Sequence, residues 1–117
     1  MADKIKVYQK PTCSKCRETL GILKDRGVEF DAINYYETPL TVAQLRELVD
    51  KLGVSPRDLL RKGEQAYRDL KIGQRELSDD ELIKLMVENP DLIQRPIVVR
   101  GPKAVLARPP GNVEELL

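Results

Sequence analysis

The chain has no histidine, one phenylalanine and only two cysteines. Without histidine there is no imidazole general base and no Cys/His nucleophile pair. Two cysteines cannot supply a four-thiolate zinc site within one chain, so no metal is expected. Neither sign of charge is in excess: 20 Lys+Arg stand against 19 Asp+Glu, a formal charge of +1. That balance excludes a nucleic-acid backbone or an anionic membrane as the main partner, since both call for a large positive field. No apolar run approaches the ~20 residues that span a bilayer. Met1-Ala2-Asp3-Lys4 runs directly into a strand-like pattern with no secretory segment, so a cytoplasmic, reducing location is expected. What is present is a globular composition, 41% hydrophobic and 33% charged over 117 residues. The length suits one domain spanning 1–117.

Alternation and β-branching predict a first strand over Lys4–Gln9, broken by Pro11-Thr12. A helix then opens around Cys13, with Cys16, Leu20 and Leu23 on its inward face and Gly27 as a left-handed cap. Val28–Asn34 reads as a second strand, parallel to the first because a helix intervenes. Thr41 with Gln44 marks a capping box, ahead of an apolar stripe of Leu45, Leu48, Val49 and Leu52 that ends at Gly53. Ser55-Pro56 starts a short helix with Leu59 and Leu60 inward. The polar stretch from Lys62 to Arg75 carries no clear period. Ser78 with Glu81 repeats the capping box, the stripe being Leu82, Leu85 and Met86, and Asn89-Pro90 stops that helix. Ile97–Arg100 and Ala104–Ala107 form an antiparallel hairpin across Gly101-Pro102-Lys103, and Asn112–Leu117 is a terminal helical turn. The order βαβ, helices, ββ, α is that of an α/β protein.

Cys13-Ser14-Lys15-Cys16-Arg17 follows a strand and begins a helix. Unpaired N–H groups at the helix start, with Lys15 and Arg17 nearby, are expected to lower the Cys13 thiol and enrich its thiolate. Cys16 lies one turn on, so a disulfide between the two is geometrically plausible. A lone cysteine is more often a small core residue, whereas C-x-x-C after the first strand of a βαβ unit is a redox signal. Pro96 precedes a strand and is a candidate cis proline facing the thiol, although cis X–Pro bonds are only about 5–6% of the total. Arg61, Arg95 and Arg108 would build an oxyanion site if their planar forks converged on a thiolate, and sequence spacing alone does not show convergence.

These stretches, with YYETPLT at 35–41, LLRKGEQAYRDL at 59–70, LIQRPIVV at 92–99 and LARP at 106–109, resemble the glutaredoxin-type arsenate reductase (ArsC) family over nearly the whole chain. The resemblance implies a thioredoxin/glutaredoxin-like fold, a βαβ plus ββα core with an inserted helical segment. It implies that Cys13 attacks arsenate, or a similar oxyanion, held by Arg61, Arg95 and Arg108. The resulting intermediate would be resolved by Cys16 or by glutathione, with glutaredoxin or thioredoxin as reductant and no bound cofactor.

The chain departs from the best-known members in three respects. Gln9 and Lys10 stand where those members carry a His-Asn pair, so activation must come from cations and the helix end. Cys16 is a second loop cysteine that they lack. The chain also ends soon after Arg108, without a longer C-terminal extension. Two other readings share the C-x-x-C: an Spx-like thiol-switched regulator that binds RNA polymerase, and a generic dithiol-disulfide oxidoreductase. Neither has need of three matched arginines.

Overall fold

A computed structural model describes residues 4–117. The chain forms two compact units, Met1–Thr38 with Arg95–Leu117, and Pro39–Gln94.

The first unit is built on a four-stranded sheet. Strand β1, Ile5–Gln9, buries Ile5, Val7 and Gln9 and turns Lys6 outward, as the pleat demands of alternating residues. Helix α1 spans Ser14–Asp25 and buries Cys16, Thr19 and Leu23. Thr19 thus takes a core place expected for Leu20, which is half-buried. Its hydroxyl donates to the Lys15 carbonyl at 2.9 Å, so the polar group enters the core satisfied. The chain leaves α1 through Gly27 at φ +67°, the left-handed cap foreseen from sequence.

Strand β2, Phe30–Asn34, pairs parallel with β1. Strands β3, Ile97–Arg100, and β4, Lys103–Leu106, form the antiparallel hairpin. Lys103 already pairs with Arg100, which shortens the loop to Gly101-Pro102, with Gly101 at φ +59°. The sheet order is β2-β1-β3-β4. A 3₁₀ helix, Pro110–Leu116, completes the ββα half. Ile5, Val7, Leu23, Val98, Ala107, Val113 and Leu116 make one buried cluster joining sheet, α1 and this last helix. Truncating a fully buried leucine such as Leu23 to alanine costs about 2–5 kcal/mol.

The second unit is helical. Helix α2, Val42–Leu52, carries the full capping box at Thr41 and Gln44 and ends at Gly53 with φ +70°. A 3₁₀ turn, Pro56–Leu59, follows. The stretch without a clear period contains a short helix α3, Gln65–Asp69, and a 3₁₀ turn at Ile72–Gln74. Helix α4, Asp79–Glu88, starts on the Ser78–Glu81 capping box and buries Leu82, Ile83 and Met86. Ile83, rather than Leu85, is buried because α4 packs against α2 and also against the 3₁₀ turns Pro56–Leu59 and Pro90–Leu92, so its buried face is wider than one stripe. The α/β assignment and the thioredoxin-like core with an inserted helical segment both hold.

Candidate active site

Cys13 is the N-cap of α1, with extended backbone (φ −81°, ψ 123°). Its N–H donates to the Lys10 carbonyl at 2.9 Å, closing the turn that Pro11-Thr12 makes. Its Sγ accepts the Cys16 N–H at 3.4 Å, taking the place of a capping hydroxyl on an otherwise orphaned donor. Burial pushes this thiol up. The Cys16 side chain and N–H, with the hydrogen bond and charge of Arg95, outweigh it and bring Cys13 below its ordinary value. The cation acting on Cys13 is therefore Arg95 and not Lys15 or Arg17. Lys15 reaches Glu18 at 3.8 Å, and Arg17 is exposed on the helix surface.

Cys16 is the opposite case. It is fully buried, and burial dominates; hydrogen bonding to Cys13 and the charge there add to it, against the Lys10 backbone and Arg95, and its thiol is pushed up to about 12. Both cysteines are free. The surroundings thus favour the thiolate at Cys13 and disfavour it at Cys16.

Arg95 is 6% exposed. It precedes Pro96 through a cis peptide bond, as proposed from the sequence, and a second cis bond joins Arg108 to Pro109. Burial works against the Arg95 charge. Hydrogen bonding with Tyr35, the fields of Tyr35 and Tyr36, and the bond to Cys13 overcome it and hold the guanidinium more firmly protonated than usual. Arg108 is exposed, and its Nη1 donates to the Arg95 carbonyl at 3.0 Å. The first unit therefore brings Cys13, Cys16, Arg95, Pro96 and Arg108 into one connected group. Among the described residues no cluster of three His, Cys, Asp or Glu could hold a metal ion.

The site thus joins a lowered thiol at a helix start, a buried arginine beside it and a cis proline just ahead of β3. The ArsC family model matches residues 8–116. The chain belongs to the ArsC family. An arsenate reductase of Escherichia coli K12 is 40% identical over 113 residues, covering 97% of this chain and 80% of that one. An Escherichia coli K12 protein, YfgD, of uncharacterised function, is 46% identical over 118 residues, covering 100% of this chain and 99% of its own. The solved structure of an arsenate reductase from Vibrio cholerae superposes with a TM-score of 0.94 at 42% identity, covering 100% of both chains.

Arg61 of this ArsC-family chain lies in the second unit. An isolated antiparallel bridge between Leu60 and Ile93 fixes its backbone, with the Arg61 N–H donating to the Leu92 carbonyl at 2.8 Å. Its Nη2 pairs with Glu64 at 3.0 Å, while Nη1 is buried with no hydrogen-bond partner among the described residues. The residues that sequence reading passed over are Tyr35 and Tyr36. They lie in the YYETPLT stretch, where the resemblance assigns them no role. The available signal was a pair of aromatics directly after a strand. No helix among the described residues is long and apolar enough to cross a membrane.

Proposed function

We propose that this chain reduces arsenate to arsenite through Cys13. The observation that carries the reading is the Cys13 thiol, lowered at a helix start by Cys16 and by the buried Arg95. A thiolate beside a guanidinium suits attack on an oxyanion, because the cation that stabilises the sulfur also offsets the charge of the incoming anion. Arg95 and the exposed guanidinium of Arg108 are the oxyanion donors of the first unit; Arg61 enters the reading on sequence resemblance alone.

In this mechanism the Cys13 sulfur forms a bond to arsenic as an As–O bond breaks, and the departing oxygen leaves as water after protonation. A second thiolate then attacks the Cys13 sulfur. An S–S bond forms, the S–As bond breaks, and its electron pair stays on arsenic, which leaves as arsenite. Arsenic(V) has become arsenic(III), and two thiols have become a disulfide.

The second thiol is glutathione. Cys16 is fully buried with its thiol at about 12, so it is a poor attacking group at neutral pH. Glutaredoxin then reduces the Cys13–glutathione disulfide. Cys16→Ser keeps a hydroxyl donor beside Cys13 and tests the assignment. Arsenite release driven by glutathione and glutaredoxin is expected to survive in Cys16→Ser. Loss of that release, with thioredoxin the better reductant of the wild type, would reassign the resolving step to Cys16.

A further inference from the structure

The arginine that lowers Cys13 is held by an aromatic side chain that the reaction itself does not use. Tyr36 follows β2 in a turn stapled by both oxygens of Asn34. The Asn34 Oδ1 accepts the Tyr36 N–H at 3.0 Å, and its carbonyl accepts the N–H groups of Glu37 and Thr38 at 3.1 and 2.9 Å. The ring leans on Tyr35, with centroids 5.0 Å apart. Fixed in this way, it meets two cations. Arg95 Nη1 donates to the Tyr36 hydroxyl at 3.2 Å, and Arg95 Cζ lies 5.9 Å from the ring centroid. Lys10 Nζ lies 4.6 Å from the same centroid. Both distances fall within the reach of a cation–π attraction.

Lys10 belongs to the loop that carries the thiol, since its carbonyl receives the Cys13 N–H. One ring therefore touches both the guanidinium and the loop. We propose that Tyr36 is a positioning residue that orients the Arg95 guanidinium on the Cys13 sulfur and, through Lys10, steadies the loop bearing that sulfur.

The geometry sets what the hydroxyl does. A guanidinium has five donors in a rigid fork, so fixing one of them on an acceptor aims the rest. Cys16 and Arg95 face Cys13; Tyr35, Tyr36 and Cys13 face Arg95; Tyr35, Lys10 and Arg95 face Tyr36. Because Tyr35 also holds Arg95, removing the Tyr36 hydroxyl loosens the guanidinium without releasing it. Packing alone would make Tyr36 matter to stability but not to the thiolate.

The proposal rests on Cys13 being the reacting thiolate and not on the identity of the oxyanion. Its test accordingly uses iodoacetamide and no arsenate, so failure of the arsenate reading leaves it standing. Alkylation rates of Cys13 are measured across the neutral and alkaline range in the wild type, Tyr36→Phe, Arg95→Met and the double variant. Phenylalanine keeps the ring, and thermal melts verify the fold. Tyr36→Phe is expected to slow neutral-pH alkylation about threefold and to move the pH profile upward. In the Arg95→Met background the same change is expected to have no further effect, because the hydroxyl acts through Arg95. An unmoved profile in Tyr36→Phe, or an equal slowing with and without Arg95, overturns the proposal.

Discussion

Alkylation of the folded protein at neutral pH should separate the two cysteines by a margin that their surroundings set. The thiolate is the reacting form. Cys16 is pushed up to about 12, while Cys13 is held below the ordinary 9.0. The gap of at least about three pH units makes the thiolate fraction of Cys13 at least about a thousandfold larger. Intrinsic nucleophilicity acts in the other direction. With a Brønsted slope of about 0.4–0.5, the more basic sulfur recovers about fifteen- to thirtyfold. Chemistry alone then favours Cys13 by about thirty- to sixtyfold, and access widens the gap, since Cys16 has no exposed surface. The assay is timed iodoacetamide labelling with peptide mass spectrometry, alongside a denatured sample in which both cysteines should label alike. Labelling of Cys16 in the folded protein within about tenfold of the Cys13 rate would show that their surroundings do not set the two thiols apart.

Arg95→Met should slow neutral-pH alkylation of Cys13 about tenfold, the low end of what an adjacent opposite charge does to a thiol at a half-exposed site. Arg95→Lys should restore part of that rate but little of the arsenate turnover, because a point charge cannot make a planar bidentate contact. For Cys16 the folded thiol lies above the unfolded value of 9.0, so its contribution to stability is complete below about pH 9 and is lost as pH rises toward about 12. Denaturant titrations of Cys16→Ala against the wild type should show a flatter alkaline decline. Thr41→Ala removes the side-chain half of a capping box, the bond that Thr41 Oγ1 accepts from the Gln44 N–H, and should lower stability by about 1 kcal/mol, read as a shift in the urea midpoint without change in slope.

Local chemistry was the legible part of the fold. The capping boxes at Thr41 and Ser78, the left-handed Gly27 and the alternation of β1 depend on residues a few positions apart, and all were found at their expected places. Burial faces were less legible. Thr19 entered the core by bonding its own helix, and Ile83 did so because α4 has neighbours on more than one side; neither follows from a single stripe of apolar residues. The site divided in the same way. Cys13 could be read as a helix-capping thiolate from its neighbours in sequence. The cation that acts on it comes from Arg95, brought alongside by the pairing of β3 with β1. Lys15 and Arg17 are nearer in sequence, but Lys15 reaches Glu18 and Arg17 is exposed on the helix surface. Tyr36 was invisible for the same reason: its role depends on a turn after β2, a loop after β1 and the start of β3 meeting at one ring.

The proposed reduction depends on attack of the Cys13 sulfur on arsenate. The most direct test measures arsenite released by purified protein supplied with arsenate, glutathione and glutaredoxin, comparing the wild type with Cys13→Ser. The wild type is expected to release arsenite continuously, and Cys13→Ser is expected to release none above the level without protein. Equal release by the two proteins, or none by the wild type with either glutaredoxin or thioredoxin present, would rule that attack out.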